Sequence, residues 1–450
     1  MRFAFAWLAA AICVVTSAQA QPPAPVPSKL AQIERIVVIM MENRSFDHLF
    51  GNFPGANGLT DAGAAAIQIG PDGQPYATLP QPIDLRAKPP APDGRFPATL
   101  PNGPYPIEQF APQTAVLPSP IHAFYQEQAQ INGGAMNLFV AQTNVGGAVM
   151  GYHDMRLSHL WRLAAEFTLT DNFFHSAFGG SFLSHAWMVC SCAFRWPDAP
   201  AAIVAQVDAA GRMVKDGQVT PDGYAVNTSR SVYLHHPNDK QHPERLVPPQ
   251  TMPHIGDRMD AANVTWKWYA GGYDDAMAGR PYPTFSFHHQ ALAFFANLAP
   301  GTPAQKAHLQ DHADFLRDIE ANALPQVTFY KPLGRNNMHP GSSTVAAGDE
   351  HLAEIVAKLR ASPAFAKMLI IVTYDENGGF WDHVAPPRRD RWGPGTRIPT
   401  IAIGPMVKRG HVDHTPYDHG SILRTIQLRF TVAPVNEVDA NAYPMTNVLQ

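Results

Sequence analysis

Three short stretches hold residue types suited to gripping a charged oxygen. Glu42-Asn43-Arg44-Ser45-Phe46-Asp47-His48 supplies a carboxylate and an amide side by side, and Asp375-Glu376-Asn377-Gly378-Gly379-Phe380-Trp381-Asp382-His383-Val384 supplies two adjacent carboxylates. Hard oxygen donors of this kind bind divalent cations, and the Gly378-Gly379 pair lets backbone come close to one. The third stretch, Phe178-Gly179-Gly180-Ser181-Phe182-Leu183-Ser184-His185, puts a hydroxyl after a glycine pair and before a helical pattern running from Leu183 to Cys192. A serine at a helix start sees free backbone N–H groups and the positive end of the helix dipole, which suit a phosphoryl oxygen, and a metal on the hydroxyl would lower its pKa. Each stretch also has a plain reading: Asp-Glu-Asn-Gly-Gly as a turn, Glu-Asn-Arg-Ser and Gly-Gly-Ser as helix caps.

These stretches need a frame to bring them together. Short apolar runs at Ile36–Met41, Phe167–Thr170, Val264–Trp268, Val327–Tyr330, Met368–Tyr374 and Ile398–Ile403 read as buried strands. Leu352, Ile355, Val356 and Leu359 recur at helical spacing between the fourth and fifth runs, so a helix crosses between parallel strands there. A second helix is expected after Asp418, with Ile422, Leu423, Ile426 and Phe430 on one face. In such an α/β sheet ligands bind beyond the carboxyl ends of the strands. The first and fifth runs lead straight into Glu42-Asn43 and Asp375-Glu376.

Composition narrows the function. Only 16% of the 450 residues are charged and the net charge is −4, which argues against a nucleic-acid partner. Arg2, the apolar stretch Phe5 to Val15 and Ala18-Gln19-Ala20 form an export signal over 1–20, too short and too clearly cleavable to be an anchor. The mature chain is therefore expected outside the cytoplasm, periplasmic or secreted, without stable membrane insertion. A Pro-rich linker is expected over 21–32 and a single catalytic domain over 33–450, with insertions near 60–120 and 200–260 that wall the pocket. Residues 71 to 120 carry 14 of the 43 prolines and read as an ordered surface excursion. Cys190 and Cys192 would close almost no loop if oxidised, and read equally well as small residues on a packed helix.

Ile33 to His48 closely resembles the opening motif of the acid phosphatase and phospholipase C phosphoesterases, and Tyr374 to Phe380, continuing through Asp382-His383-Val384-Ala385-Pro386-Pro387, resembles the family's other hallmark. Asn336-Asn337-Met338-His339-Pro340-Gly341 and Asp418-His419-Gly420-Ser421 match lesser blocks. The resemblance implies an alkaline phosphatase and sulfatase-like core, a central mixed, mostly parallel sheet with helices on both faces. It also implies Glu42, Asn43, Asp375 and Glu376 as metal ligands, Ser181 as nucleophile and metal ligand, and His122, His288, His289 and His339 around the phosphate; His185, one helical turn after Ser181, is taken as a further substrate-binding candidate and reads equally as a packing residue. The Gly-Gly-Ser-Phe-Leu block is similar to the acid phosphatase branch, with Ser184 where that branch more usually has asparagine.

The expected reaction transfers the phosphoryl group to Ser181 and then to water, with His339 or His288 protonating the departing alcohol and favouring an acid optimum. Calcium, magnesium, manganese, zinc and iron are all admitted as the ion. A phospholipase C acting on lipid head groups and a non-catalytic metal-binding module stay open as alternatives; no Cys-x-Pro-x-Arg or Ser-x-Pro-x-Arg segment supports a sulfatase. His48, His159, His235, His236 and His351 read as surface or satisfied core residues. His383 is open between a direct role and bracing the Asp375-Glu376 loop, and Asp418 reads as a helix cap beside His419.

Overall fold

The computed structural model describes residues 26–450, so the export signal over 1–20 and the first five residues of the Pro-rich segment lie outside the described residues. Strand β1, Arg35–Met41, is buried from Ile36 onward. Burial on both faces is why its sequence shows an apolar run rather than alternation. The same sheet contains β2 (Thr168–Thr170), β3 (Trp266–Ala270), β4 (Leu309–Gln310), β5 (Val327–Lys331), β6 (Met368–Tyr374), β7 (Thr400–Ile403) and β8 (His411–Asp413). They lie in the order β4-β3-β5-β1-β6-β7-β2-β8. Every neighbouring pair is parallel except those of β7, which runs against both β6 and β2. The sheet is thus central, mixed and mostly parallel, as expected.

Helices α1 (Phe46–Phe50), α2 (Phe124–Ile131), α3 (His159–Glu166), α4 (Ser181–Cys190), α5 (Val345–Ala361) and α6 (His419–Phe430) are among those flanking it. α5 crosses from β5 to β6, burying Leu352, Ile355, Val356 and Leu359, and packs against α3; α4 packs against α6. α6 buries Ile422, Leu423, Ile426 and Phe430 and is capped by Asp418, whose carboxylate accepts from Ser421 N at 3.2 Å.

Several boundaries differ from the sequence reading by a residue or two. β3 starts at Trp266 rather than Val264 and β7 at Thr400 rather than Ile398. α4 begins two residues early, at Ser181, and stops at Cys190 because Ser191 turns left-handed at φ 47°. Cys190 and Cys192 therefore do not share a helix face; they form a disulfide across that turn. Leu30, within the segment read as linker, is fully buried, so the packed body begins before Ile33. The 60–120 excursion has an apolar cluster of its own, where Leu79, Leu100 and Ile107 meet Phe139, Val149 and Trp381. Among the described residues no helix is long and apolar enough to cross a membrane.

Candidate active site

β5, β1 and β6 lie side by side, so their carboxyl ends bring Lys331, Glu42 and Asp375 to one place. Immediately after β1 the chain turns through Asn43 at φ 55°, a left-handed conformation that asparagine tolerates better than most residues. That turn is held by Asn43 N donating to Asp375 Oδ1 at 2.9 Å. The glycine pair after β6 is needed for close approach: a Cβ on Gly378 would strike the Asn43 carbonyl, and one on Gly379 would lie 2.5 Å from the Ile121 carbonyl oxygen, both at positive φ.

Ser181 is the first residue of α4, following Gly180, so the first N–H groups of that helix have no partner within it. Its Oγ lies 3.4 Å from Glu42 Oε2, 3.4 Å from Asn43 Oδ1 and 3.3 Å from Glu376 Oε1. A residue not singled out from sequence fixes this geometry. Glu127, fully buried on α2, accepts from Gly179 N at 2.6 Å and Thr396 N at 3.0 Å, and lies 2.8 Å from His175 Nε2. Burial would raise its carboxyl, but the facing His175 and these hydrogen bonds hold it below the usual range. Gly179 sits at φ 91°, where a Cβ would come within 2.6 Å of Phe124 Cα.

Five expected histidines surround these oxygens. His289 Nε2 lies 2.7 Å from Glu42 Oε1, His339 Nε2 is 3.8 Å from Glu42 Oε2, and His122 Nε2 is 3.2 Å from Asn43 Nδ2 and 3.7 Å from Glu376 Oε1. His185 stacks on His289 with ring centres 5.2 Å apart, and its Nδ1 lies 2.7 Å from the Ser181 carbonyl. His288 stands edge-on to both. Burial pushes His122, His185 and His289 below the ordinary histidine range, and burial with the neighbouring His289 takes His288 down to about 3. Of the two histidines expected to serve as the acid, His288 stands edge-on to His185 and His289, and His339 lies 3.8 Å from Glu42 Oε2.

Lys331, also missed in the sequence, is fully buried with Nζ 2.5 Å from Glu42 Oε1 and donates to the Met41 carbonyl at 3.2 Å. Burial alone would raise the Glu42 carboxyl, but Lys331 and the histidines outweigh it and hold it low. Glu376 accepts from the Asn43 amide and from Gly378 N but has no ammonium beside it. Burial and the negative Asp375 push it well above the carboxylate range, and Asp375 Oδ2 is buried with no hydrogen-bond partner. Three buried carboxylates against one ammonium leave an excess of negative charge, which a divalent cation would offset. Glu42 Oε2, Asn43 Oδ1 and Glu376 Oε1 converge on Ser181 Oγ and offer hard oxygen donors to such an ion. Glu42, His185 and His289, and separately Asp47, Asp382 and His383, are groupings compact enough to hold one.

The surrounding shell is a buried charge network. Arg397 donates to Asp382 Oδ1 at 2.8 Å and Asp47 Oδ1 at 3.1 Å, while His383 Nδ1 lies 2.6 Å from Asp47 Oδ2. His383 therefore ties the segment that follows Asp375-Glu376 to α1. The Asp375-Glu376 loop is braced by His419, whose Nε2 lies 2.9 Å from the Tyr374 carbonyl. Arg44 donates twice to the Met338 carbonyl, at 3.1 and 2.7 Å, fixing Met338 at φ 76° just before His339.

The sequence model of the Phosphoesterase family matches residues 33–433. Among curated proteins, the chain is 26% identical to a non-hemolytic phospholipase C of Pseudomonas aeruginosa, over 90% of this chain and 55% of the relative. It is 27% identical to phospholipase C A of Mycobacterium tuberculosis, over 92% of this chain and 75% of the relative. The chain thus spans little more than half the length of the Pseudomonas protein. Among solved structures it is similar to a protein in the alkaline phosphatase superfamily from Vibrio parahaemolyticus, with a TM-score of 0.33, 9% identity and coverage of 72% of this chain and 70% of that one.

Proposed function

The chain belongs to the phosphoesterase family, whose members are hydrolases of phosphoric esters, and on that premise we propose that it is a metal-dependent phosphatase hydrolysing phosphomonoesters through Ser181. The observation that carries the proposal is the placement of Ser181 Oγ within 3.4 Å of oxygens from Glu42, Asn43 and Glu376. A divalent cation bound by these residues and Asp375 supplies Lewis acidity that lowers the hydroxyl pKa and offsets phosphate charge. Ser181 gives its proton to solvent, its Oγ attacks phosphorus and the bond to the alcohol oxygen breaks. His339, at the open side of the site, gives that oxygen its proton. Water then attacks the phosphoserine, His339 takes one proton of that water, and the bond from phosphorus to Ser181 Oγ breaks as the serine takes a proton back from solvent. The free N–H groups at the start of α4 and the neutral histidines His122 and His289 orient the phosphoryl oxygens, which is most of what phosphoryl transfer asks of a protein.

The test is phosphate release from an aryl phosphate by metal-stripped protein, with divalent ions returned singly. Activity is expected to return with an ion and to fall roughly a thousandfold or more in Ser181→Ala. A Ser181→Ala variant at the wild-type rate rejects the nucleophile, and no hydrolysis with any ion favours a non-catalytic metal-binding module. The names of the relatives support a second reading, phospholipase C on lipid head groups, which predicts faster turnover of phosphatidylcholine than of the aryl phosphate. The proposal includes export: the mature chain is expected to start at Gln21 on N-terminal sequencing, and an uncleaved cytoplasmic protein rejects it.

A further inference from the structure

A cavity of about 360 Å³ opens beside the nucleophile. Its inner wall is Gly180, the residue before Ser181, with His122, whose Nε2 reaches Asn43; its outer wall is Asp216, Gln218 and Thr228 from the 200–260 insertion. A Cβ on Gly180 would meet the His122 carbonyl at 2.9 Å, so the glycine is what lets His122 pack against the start of α4, one residue from the serine. The outer wall is tied to the inner one. Asn227 Oδ1 accepts from Phe124 N at 2.9 Å, two residues from His122, while its Nδ2 donates to the Gly217 carbonyl at 2.8 Å and to Asp216 Oδ1 at 3.0 Å. Gly217 N donates to the same Asp216 oxygen at 2.8 Å.

Asp216 is thus held by one carboxylate oxygen, and the other has no protein partner among the described residues. The side chains of Gln218 and Thr228, exposed like that of Asp216 at the mouth of the cleft, also make no hydrogen bond to the protein there. Apolar lining is confined to Pro120, Ile121 and Ala123, with no Phe, Tyr or Trp ring on the wall. Such a cleft offers little to acyl chains, lacks the broad aromatic face that quaternary ammonium groups favour, and repels a second anion through Asp216. What it offers is an acceptor, an amide and a hydroxyl across from Gly180 and His122.

We propose that this cleft is the subsite for the alcohol portion of the substrate, and that it selects polyhydroxylated alcohols that carry no further negative charge, the class that includes the simple sugar phosphates. The inference rests on the phosphomonoesterase reading above. Hydroxyls of the substituent donate to Asp216 and exchange hydrogen bonds with Gln218 and Thr228 when the phosphorus is in line with Ser181.

The experiment compares kcat/KM for a hexose 6-phosphate, phenyl phosphate and phosphatidylcholine in the wild type, Asp216→Asn and Thr228→Val, each with metal bound. Asp216→Asn keeps the oxygen that Gly217 and Asn227 use and turns the free acceptor into a donor, so the loop is retained; circular dichroism and melting confirm this. The ratio of hexose phosphate to phenyl phosphate is expected to favour the hexose ester in the wild type. It is expected to fall roughly tenfold in Asp216→Asn and severalfold in Thr228→Val, through KM rather than kcat. A ratio that neither substitution moves, or a wild type preferring phosphatidylcholine, overturns the inference while phosphate-ester hydrolysis stands. No hydrolysis of any of the three overturns both.

Discussion

Lys331 shows how much one residue decides. Its ammonium holds Glu42 Oε1, so only Oε2 is turned toward Ser181. Both partners are fully buried, and removing one side of such a pair leaves an unpaired charge in the interior. Lys331→Met is therefore expected to lose about 3–5 kcal/mol in denaturant unfolding of the metal-stripped protein; an unchanged midpoint would show that the pair is not formed. The ligand carboxylates were legible in the sequence because each follows an apolar run and stands in a hallmark block. Lys331 follows the run Val327–Tyr330 by the same rule, yet a lysine reads as a solvent-facing residue by default and no motif marked it. Glu127 had no signal at all, since the partners it joins, Gly179, His175 and Thr396, lie 48 to 269 residues away in the chain.

At the scale of elements, the start of α4 and the body of α2 act as one unit. Gly179 touches Phe124 and donates to Glu127, so the position of Ser181 is set by a helix fifty residues upstream. Gly179→Ala combines a left-handed φ with a collision against Phe124. It is expected to lower stability by about 1–3 kcal/mol and to cut turnover by more than the loss of folded protein explains, as read from kcat per folded molecule by active-site titration. Strand existence was legible from apolar runs, while the ends slipped by a residue or two where tertiary pairing, not composition, sets the stop. Ser191 at φ 47° ends α4, and no proline or glycine announced it.

The whole molecule carries many buried histidines, and their sum sets a pH dependence. Burial keeps His48 well below the histidine range, and burial with the neighbouring His312 takes His351 to about 4. The unfolded chain protonates these groups below about pH 6.5 while the native state does not. Their contribution is complete above pH 6.5 and is lost as pH falls below it. His383 has the opposite sign: burial opposes its charge, but Asp47 outweighs that and raises its pKa. Its contribution is complete below about 6.5 and is lost as pH rises through the raised value. The melting temperature is therefore expected to peak near neutrality and to fall more steeply on the acid side, with the acid limb shallower in His48→Phe. A scan from pH 4.5 to 9 checks this, and a maximum at pH 5 would contradict it. Activity at acid pH, where the family resemblance points, would then run against the stability limb.

The reversed strand β7 has a topological consequence. Because it runs against β6, the chain leaves β6 and re-enters the sheet at the same end, and residues 375–399 never need a crossover to the far side. That single out-and-back detour carries Asp375, Glu376, Asp382, His383 and Arg397, and also the exposed tip at 387–391. The tip is fastened by its side chains, Arg389 to the Ser176 carbonyl at 2.5 Å and Arg391 to Asp222 at 2.7 and 2.8 Å. The detour is thus clasped at its far end as well as at the sheet, so the carboxylates at its base are held from both directions.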